Sequence, residues 1–430
     1  MAHSRFSPSS TEREYTCPGS FLLNEMEADR QSPDAAHGTA AHHIGELCLR
    51  LDQDVVTYAA CVIAVDKRGR CRFVHEKAPL KDDPDLYDDS EIELGFEVDD
   101  EMCVAVQEYV DRCRVLPGAH HVEVRVEHTP WCPDNDEFGM PLDPQFGTAD
   151  HIACVPAGVH PDYPEATIVV TDLKYGKGVK VFAEENKQAI KYALGAQRAY
   201  DWEYGFKRVV IRISQPRLNH FDVWEVSVEE LLEWGQKIKD RLTLVFDPDP
   251  PFQASEKGCK FCKVAGKCKA LQDHLRNVYA MQFDDLTGEP LHNPRLLTEN
   301  ELVQAHNAGP LFKIAAEAVE KEVFRRLARG ESAGRKKLVA AHTHRTWKDE
   351  AEAREYMRSR GLDDEKTITK SFVSPAKAEK LLPRSLWPEL ERLYDRPPGK
   401  PCIVDETDPR PPYRDRTAVE DFDDVVDDGF

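Results

Sequence analysis

A chain of 430 residues, with 41% hydrophobic and 9% aromatic residues, is long enough to bury more than one core, and two or three structural units are expected. Its formal net charge of −21 excludes a protein coated in nucleic-acid-binding surface, although it leaves room for a local basic channel. No apolar run approaches the roughly 18–20 residues of a membrane span, and no apolar stretch follows the N-terminal charges, so neither a span nor a secretory leader is expected and a cytoplasmic location is.

In chain order, residues 1–35 read as irregular with one short helix near 19–28, and Ile44, Leu47, Leu49 and Leu51 mark an amphipathic helix from about Thr39. Residues 53–97 are mixed and polar, which suggests a loosely ordered insertion. A helix over 101–115 precedes the alternation VEVRVEH, a strand at 122–128, and then a loop rich in Pro, Asp and Gly over 130–144. Residues 147–155 and 166–176 read as two strands of a hairpin, 184–204 as a long helix, 209–216 and 221–227 as strands, and 228–246 as a helix leading to a cysteine-rich stretch at 259–271. The pattern is α/β, a mixed sheet core flanked by helices. A boundary is expected near 285, followed by a mainly helical region over 286–402 with helices at 299–329 and 351–360 and a short strand at 337–343. From Val404 to Phe430 ten acidic residues stand against three Arg, so 403–430 reads as an acidic disordered tail.

Four segments carry the chemistry: His42 in GTAAH, Asp150 in GTAD, Asp172-Leu173-Lys174 at the end of an apolar run, and Gln188-x-x-x-Tyr192 on the following helix. Alternate side chains of a strand share a face, so Asp172 and Lys174 are expected side by side. Asp172 and Asp150 can hold a hard divalent cation through oxygen, and His42 can add an imidazole nitrogen. Such a cation lowers the pKa of bound water and polarises a phosphodiester, while the lysine offsets phosphate charge. Alone, each piece has an ordinary reading: an Asp-x-Lys triplet is commonly a surface ion pair, and a single helical His a structural residue. Their order, and the emergence of Asp172 from a buried run, favour a joint site. Glu46, one turn after His42, is a supporting candidate, whereas Glu127 reads as an exposed strand end.

GTAAH, GTAD, TDLKYGKG and Q-x-x-x-Y, in this order, resemble the RecB-like PD-(D/E)XK nucleases, which include AddB-type and CRISPR-adaptation exonucleases. The opening SPSSTEREYTCPGSFLLN with HGTAAHHIGE resembles more narrowly a phage and prophage family of such enzymes. The resemblance covers about residues 7–275 and implies a restriction-endonuclease-like core over 1–285. It implies a metal site of His42, Asp150 and Asp172 for magnesium or manganese, with catalytic roles for Asp150, Asp172, Lys174, Gln188 and Tyr192. Cys259-x₂-Cys262-x₅-Cys268 with Cys17 as the distant fourth thiol is similar to the cysteine placement of the members that carry a [4Fe–4S] cluster. Zinc, or three reduced cysteines in a turn, are the alternatives. The other eight cysteines stand singly and read as small core or surface residues.

Lys177, Lys180, Lys187 and Lys191 are expected to contact DNA phosphates, and Tyr175 and Phe182 to stack on bases. Lys257, Lys260, Lys263, Lys267 and Lys269 either do the same or merely solubilise their loop. The expected activity is a divalent-metal-dependent DNA exonuclease acting on ends or single strands. Phage recombination is its implied setting, and a single-strand annealing protein the partner that setting suggests. A non-catalytic DNA-binding or assembly module that keeps the fold, and a zinc-stabilised binding protein, are the rival readings.

Overall fold

The structure, a computed structural model, describes residues 4–27, 32–74, 94–280, 299–340, 346–362, 375, 378, 386–395, 401–405 and 410–412. They fall into two compact units, Met1–Glu320 and Lys321–Phe430. Among the described residues no helix is long and apolar enough to cross a membrane. Residues 75–93 of the expected insertion, and most of the expected acidic tail, lie outside the described residues.

In the first unit, helices α1 (Thr11–Thr16), α2 (Ser20–Glu25) and α3 (Pro33–Leu51) come first. The last begins where the Ser32 hydroxyl accepts the Ala35 N–H with Pro33 just inside, and ends at Asp52 in the left-handed region. A small antiparallel sheet follows, order β2-β1-β3, from β1 (Val62–Val65), β2 (Cys71–Val74) and β3 (Leu94–Glu97). Helix α4 (Asp100–Arg114), capped by Asp99, packs with α3 and this sheet around Ile44, Ile63, Met102 and Val106. The loose insertion expected over 53–97 is therefore ordered over its described residues. Its middle strand is buried throughout, so it shows an unbroken apolar run of four residues, too short for any alternation to reveal it.

The main sheet takes β4 (Ala119–Glu127), β5 (Phe146–Val155), β6 (Thr167–Leu173), β7 (Arg208–Gln215) and β8 (His220–Ser227) in that spatial order. Every neighbouring pair is antiparallel except β6 and β7, which are joined through α5 (Lys187–Tyr204). Central β6 is buried at every position, as a strand covered on both faces must be. The Asn186 side chain caps α5 and Gly205, φ 59°, ends it. Gly195 lets α5 lie tight on β4, because a Cβ there would stand 2.8 Å from that of Val126. Helix α6 (Val228–Thr243) adds Leu231, Ile238 and Leu242 to the same core, and Phe6 of the N-terminal segment stacks on Phe21 at 4.6 Å.

The short α7 (Glu256–Cys259) and α8 (Lys269–Ala280) carry the cysteine segment, and α9 (Glu299–Ala328) runs across the unit boundary. Leu311 and Ala315 of α9 pack with Cys259, Leu271 and Leu275. That burial moves the boundary from the expected 285 to 320. The second unit pairs β9 (Lys336–Ala340) with a C-terminal strand, and carries β10 (Thr346–Trp347), α10 (Glu350–Ser359), α11 (Trp387–Leu390), β11 (Tyr394–Asp395) and β12 (Pro401–Asp405). Its core gathers Ala353, Met357, Leu390 and Leu393. The expected helical character holds for α10; strands of two residues leave no periodic trace in sequence.

Candidate active site

Three carboxylates line up across three strands. The register pairs His151 with Thr171 and, on the other side, Val122 and Val124 with His151 and Ala149. Asp150 therefore stands opposite both Asp172 of β6 and Glu123 of β4, on the face away from His151. Like charges directly opposite one another destabilise a sheet, so this row needs compensation. It comes from two cations. His42 of α3 places Nδ1 3.2 Å from Asp150 Oδ1 and 4.0 Å from Glu123 Oε1. Lys174, just past the end of β6, places Nζ 2.8 Å from Asp172 Oδ2.

The remaining contacts fix these groups. The Leu173 N–H donates to Asp150 Oδ2 at 2.7 Å, Lys174 Nζ donates to Gln188 Oε1 at 2.9 Å, and Gln188 Nε2 donates to the Tyr192 hydroxyl at 3.2 Å. Gln188 and Tyr192 are one helical turn apart on α5, so they point the same way. Gly147 of β5 meets Tyr192 here, since a Cβ at that position would come within 2.8 Å of the ring. The structure thus brings together His42, Asp150, Asp172, Lys174, Gln188 and Tyr192 from four remote segments.

Electrostatics follow from burial and pairing. Burial opposes the charge on Asp150, but His42, Lys174 and the Leu173 N–H overcome it and hold its pKa below the usual range. For Asp172 burial, reinforced by Asp150, wins over Lys174 and His42 and raises the pKa. Burial and the Asp150 charge push Glu123 up to about 8. Burial works against the His42 imidazolium, yet Asp150 and Glu123 raise it to about 9. Burial likewise opposes the Lys174 ammonium, and Asp172 and Asp150 raise its pKa.

The residues suit a hard cation. Among the described residues the one group of three or more metal-ligating side chains whose ligand atoms all lie within 4.8 Å is His42, Glu123 and Asp150. Asp172 Oδ2 is buried and receives no directed hydrogen bond, although the Lys174 ammonium lies beside it. One imidazole nitrogen with carboxylate oxygens is a donor set that could hold a divalent cation. About 29% of the His42 side chain stays accessible.

Glu123 escapes sequence reasoning. In VEVRVE its position looks like those of Arg125 and Glu127, and what distinguishes it is a backbone φ of 46°, rare for a non-glycine residue and invisible in sequence. Glu46 faces Arg50 at 3.1 Å and His43 at 3.7 Å instead of joining the site. Glu127 pairs with Arg198 at 2.8 Å at the strand end.

Two of the expected DNA contacts are overturned. Lys191 is fully buried and donates to the Phe6 carbonyl at 3.1 Å, and Lys187 is 5% exposed with its ammonium 4.9 Å from the Trp234 ring centre. The N-terminal segment and α6 cover that side of α5, which sequence spacing does not show. Tyr175 is also core, edge-on to His37 and under the Arg217 guanidinium, so it is no stacking platform. Lys177 and Lys180 are exposed, Lys177 beside Glu101 at 2.5 Å, and Phe182 is exposed.

Cys17, Cys259, Cys262 and Cys268 line one cavity, closed by Phe252, Val264, Ala265 and Leu271. All four are free thiols. The Gln253 N–H points at Cys17 Sγ (3.4 Å) and Asn24 Nδ2 at Cys262 Sγ (3.3 Å). No three of these sulfurs all lie within 4.8 Å of one another. Of the surrounding lysines, Lys263 Nζ donates to the Glu27 carbonyl at 3.0 Å and Lys267 pairs with the Glu27 carboxylate.

Among solved structures, the crystal structure of SSO0001 is similar over 35% of this chain at 14% identity and a TM-score of 0.20. The chain spans 60% of that structure's length, and a likeness this slight does not bear on the fold. The family model described as "Protein of unknown function (DUF2800)" matches residues 3–411, nearly the whole chain, and the protein belongs to that family.

Proposed function

We propose that the protein is a divalent-cation-dependent deoxyribonuclease, built on a restriction-endonuclease-like core and hydrolysing phosphodiester bonds at DNA ends or in single strands. The observation that carries this reading is the convergence of His42, Asp150, Asp172 and Lys174 from distant segments into one chain of contacts of 2.7–3.2 Å. His42, Asp150 and Glu123, whose ligand atoms all lie within 4.8 Å, would hold the cation, with Asp172 on the neighbouring strand as the further acid expected of the site. The cation, when bound, supplies Lewis-acid polarisation of the phosphate and a lowered pKa of water.

The chain's own groups do the rest. Gln188, steadied by Tyr192, keeps the Lys174 ammonium beside Asp172, where it offsets phosphate charge. Burial of the surrounding carboxylates strengthens every such interaction. The exposed lysines Lys177 and Lys180, on the loop that leaves β6, add sequence-independent phosphate contacts, and Phe182 offers a ring to a base. A [4Fe–4S] cluster on Cys17, Cys259, Cys262 and Cys268 would pin the two ends of the core; the four thiols lining one largely apolar cavity support it.

The test is digestion of end-labelled single- and double-stranded DNA with manganese or magnesium. Wild type is expected to cut, while Asp172→Ala and Lys174→Ala bind DNA but cut at least 100-fold more slowly, the scale of a lost electrostatic group. Cutting by both variants at the wild-type rate would overturn the reading, and binding without cutting by wild type would leave the non-catalytic module.

A further inference from the structure

Asn24 sits at the junction between the segment bearing Cys17 and the segment bearing the other three cysteines. It is 2% exposed, and its amide spends every valence. Oδ1 accepts the Lys263 N–H at 2.8 Å and Arg13 Nη1 at 3.2 Å. Nδ2 donates to the Ser20 carbonyl at 2.7 Å and to Cys262 Sγ at 3.3 Å, 238 residues away in sequence. These partners fix which end of the amide is which: a flipped amide would set its NH₂ against two donors and its oxygen against a carbonyl. The N–H therefore points at sulfur. A 3.3 Å separation is within the reach of a donor to sulfur, and it strengthens when the thiol ionises as a ligand.

We propose that Asn24 is a positioning residue for the iron–sulfur cluster, whose amide donates a hydrogen bond to the Cys262 thiolate and so raises the cluster's reduction potential; this rests on the cluster assignment made above. Reduction adds negative charge that spreads onto the ligating sulfurs. A donor aimed at one of them stabilises the reduced state more than the oxidised state. The backbone N–H of Gln253 does the same at Cys17 and cannot be removed by changing its side chain. Asn24 is thus the one described side chain with a hydrogen bond into this set of sulfurs that mutation can delete. The same amide ties Lys263, next to Cys262, to α2, so it also holds that ligand in place.

The experiment is anaerobic purification of the full chain, iron and sulfide analysis, and a spectroelectrochemical titration of wild type, Asn24→Asp and Asn24→Ala. Aspartate keeps the acceptor for Lys263 and Arg13 and deletes the donor; alanine deletes both without adding charge. Both variants are expected to retain the visible absorption band with a midpoint shifted to more negative potential, and alanine also to lose iron faster in air. A residue that only braced the fold would alter iron retention without moving the midpoint. Wild-type midpoints in both variants, or a shift in the aspartate variant alone, would overturn the role of Asn24. Wild-type protein that contains zinc and no iron or sulfide would instead overturn the cluster assignment, and the role of Asn24 with it.

Discussion

Replacing Lys191 by methionine separates a structural lysine from a DNA-binding one. Its ammonium is fully buried, donates to the Phe6 carbonyl at 3.1 Å and attracts the Glu14 carboxylate, itself 1% exposed. Burial raises the Glu14 pKa, with Lys191 and then Arg13 opposing. Lys191→Met keeps the volume of the stem but orphans the carbonyl and leaves Arg13, at 3.3 Å, as the cation beside Glu14. Breaking a buried pair from one side costs about 3–5 kcal/mol, and the surviving arginine places this case at roughly 2–4. At about 2–4 °C per kcal/mol for a domain of this order, the melting temperature should fall by roughly 4–16 °C. Adding Glu14→Gln should restore part of that loss, because the two sites share one electrostatic interaction. Thermal melts give the first quantity, and DNA anisotropy titrations at several salt concentrations give the second. The slope of log affinity against log salt should be unchanged in Lys191→Met, whereas Lys180→Ala should reduce it by about 0.9 if that lysine meets one phosphate. A Lys191→Met protein with the wild-type melting temperature and a reduced salt slope would refute the buried-lysine argument.

Two further outcomes follow from the site and the sheet. Manganese at about a hundred times its dissociation constant should stabilise wild type by about 2.7 kcal/mol, and Glu123→Gln or Asp150→Asn should lose most of that shift at the same concentration. After EDTA treatment near pH 7, Glu123→Gln should melt no lower than wild type, since Glu123, pushed up to about 8, is already mostly neutral beside Asp150; a clear drop would show that Glu123 braces the strands. The second concerns pH. Burial lowers the pKa of His151 to about 3, with His120 adding to the effect, and that of His128 to about 2, with Lys191 adding to it. Both stay neutral in the folded protein while their unfolded counterparts take up protons below about 6.5, so stability is complete above that pH and is lost as pH falls towards 3. Each contributes about 1.4 kcal/mol of lost stability per pH unit in that window. His151→Phe should flatten the melting curve against pH between about 6.5 and 4, and an unchanged slope would show that His151 titrates normally.

What was legible in the sequence is what regular periodicity or fixed spacing encodes. Ile168-Val169-Val170 ending in Asp172 marks a covered strand, and Gln188 with Tyr192 marks a helix face, so the order of the central strands and helix could be read directly. Lys191 has the same residue type as Lys177 and Lys180 and lies in the same lysine-rich stretch. Its burial depends on Phe6, 185 residues away, coming to rest against α5. The β1 to β3 sheet failed for a different reason: a four-residue strand covered on both sides carries no alternation. Cys17 could be matched to Cys259, Cys262 and Cys268 only by resemblance, since nothing local joins them. The cavity they share depends on contacts such as the Gly19 N–H to the Pro251 carbonyl at 3.0 Å.

Glu123 shows why the remaining part of the site had to come from coordinates. A glutamate forced to φ 46° inside a strand costs on the order of 1–3 kcal/mol, and burial, reinforced by the Asp150 carboxylate, raises its pKa. Neither local propensity nor packing asks for this: Gln at 123 would relieve the charge, and Gly would relieve the backbone. Local rules are broken in two independent ways at this one residue, and within the chain the His42 imidazole is what offsets the result, 3.2 Å from Asp150 and 4.0 Å from Glu123. Under the proposed reading, a divalent cation shared by Glu123, His42 and Asp150 would add to that compensation. Bound there, it would make the two carboxylates joint ligands and would displace the His42 proton that otherwise holds them together.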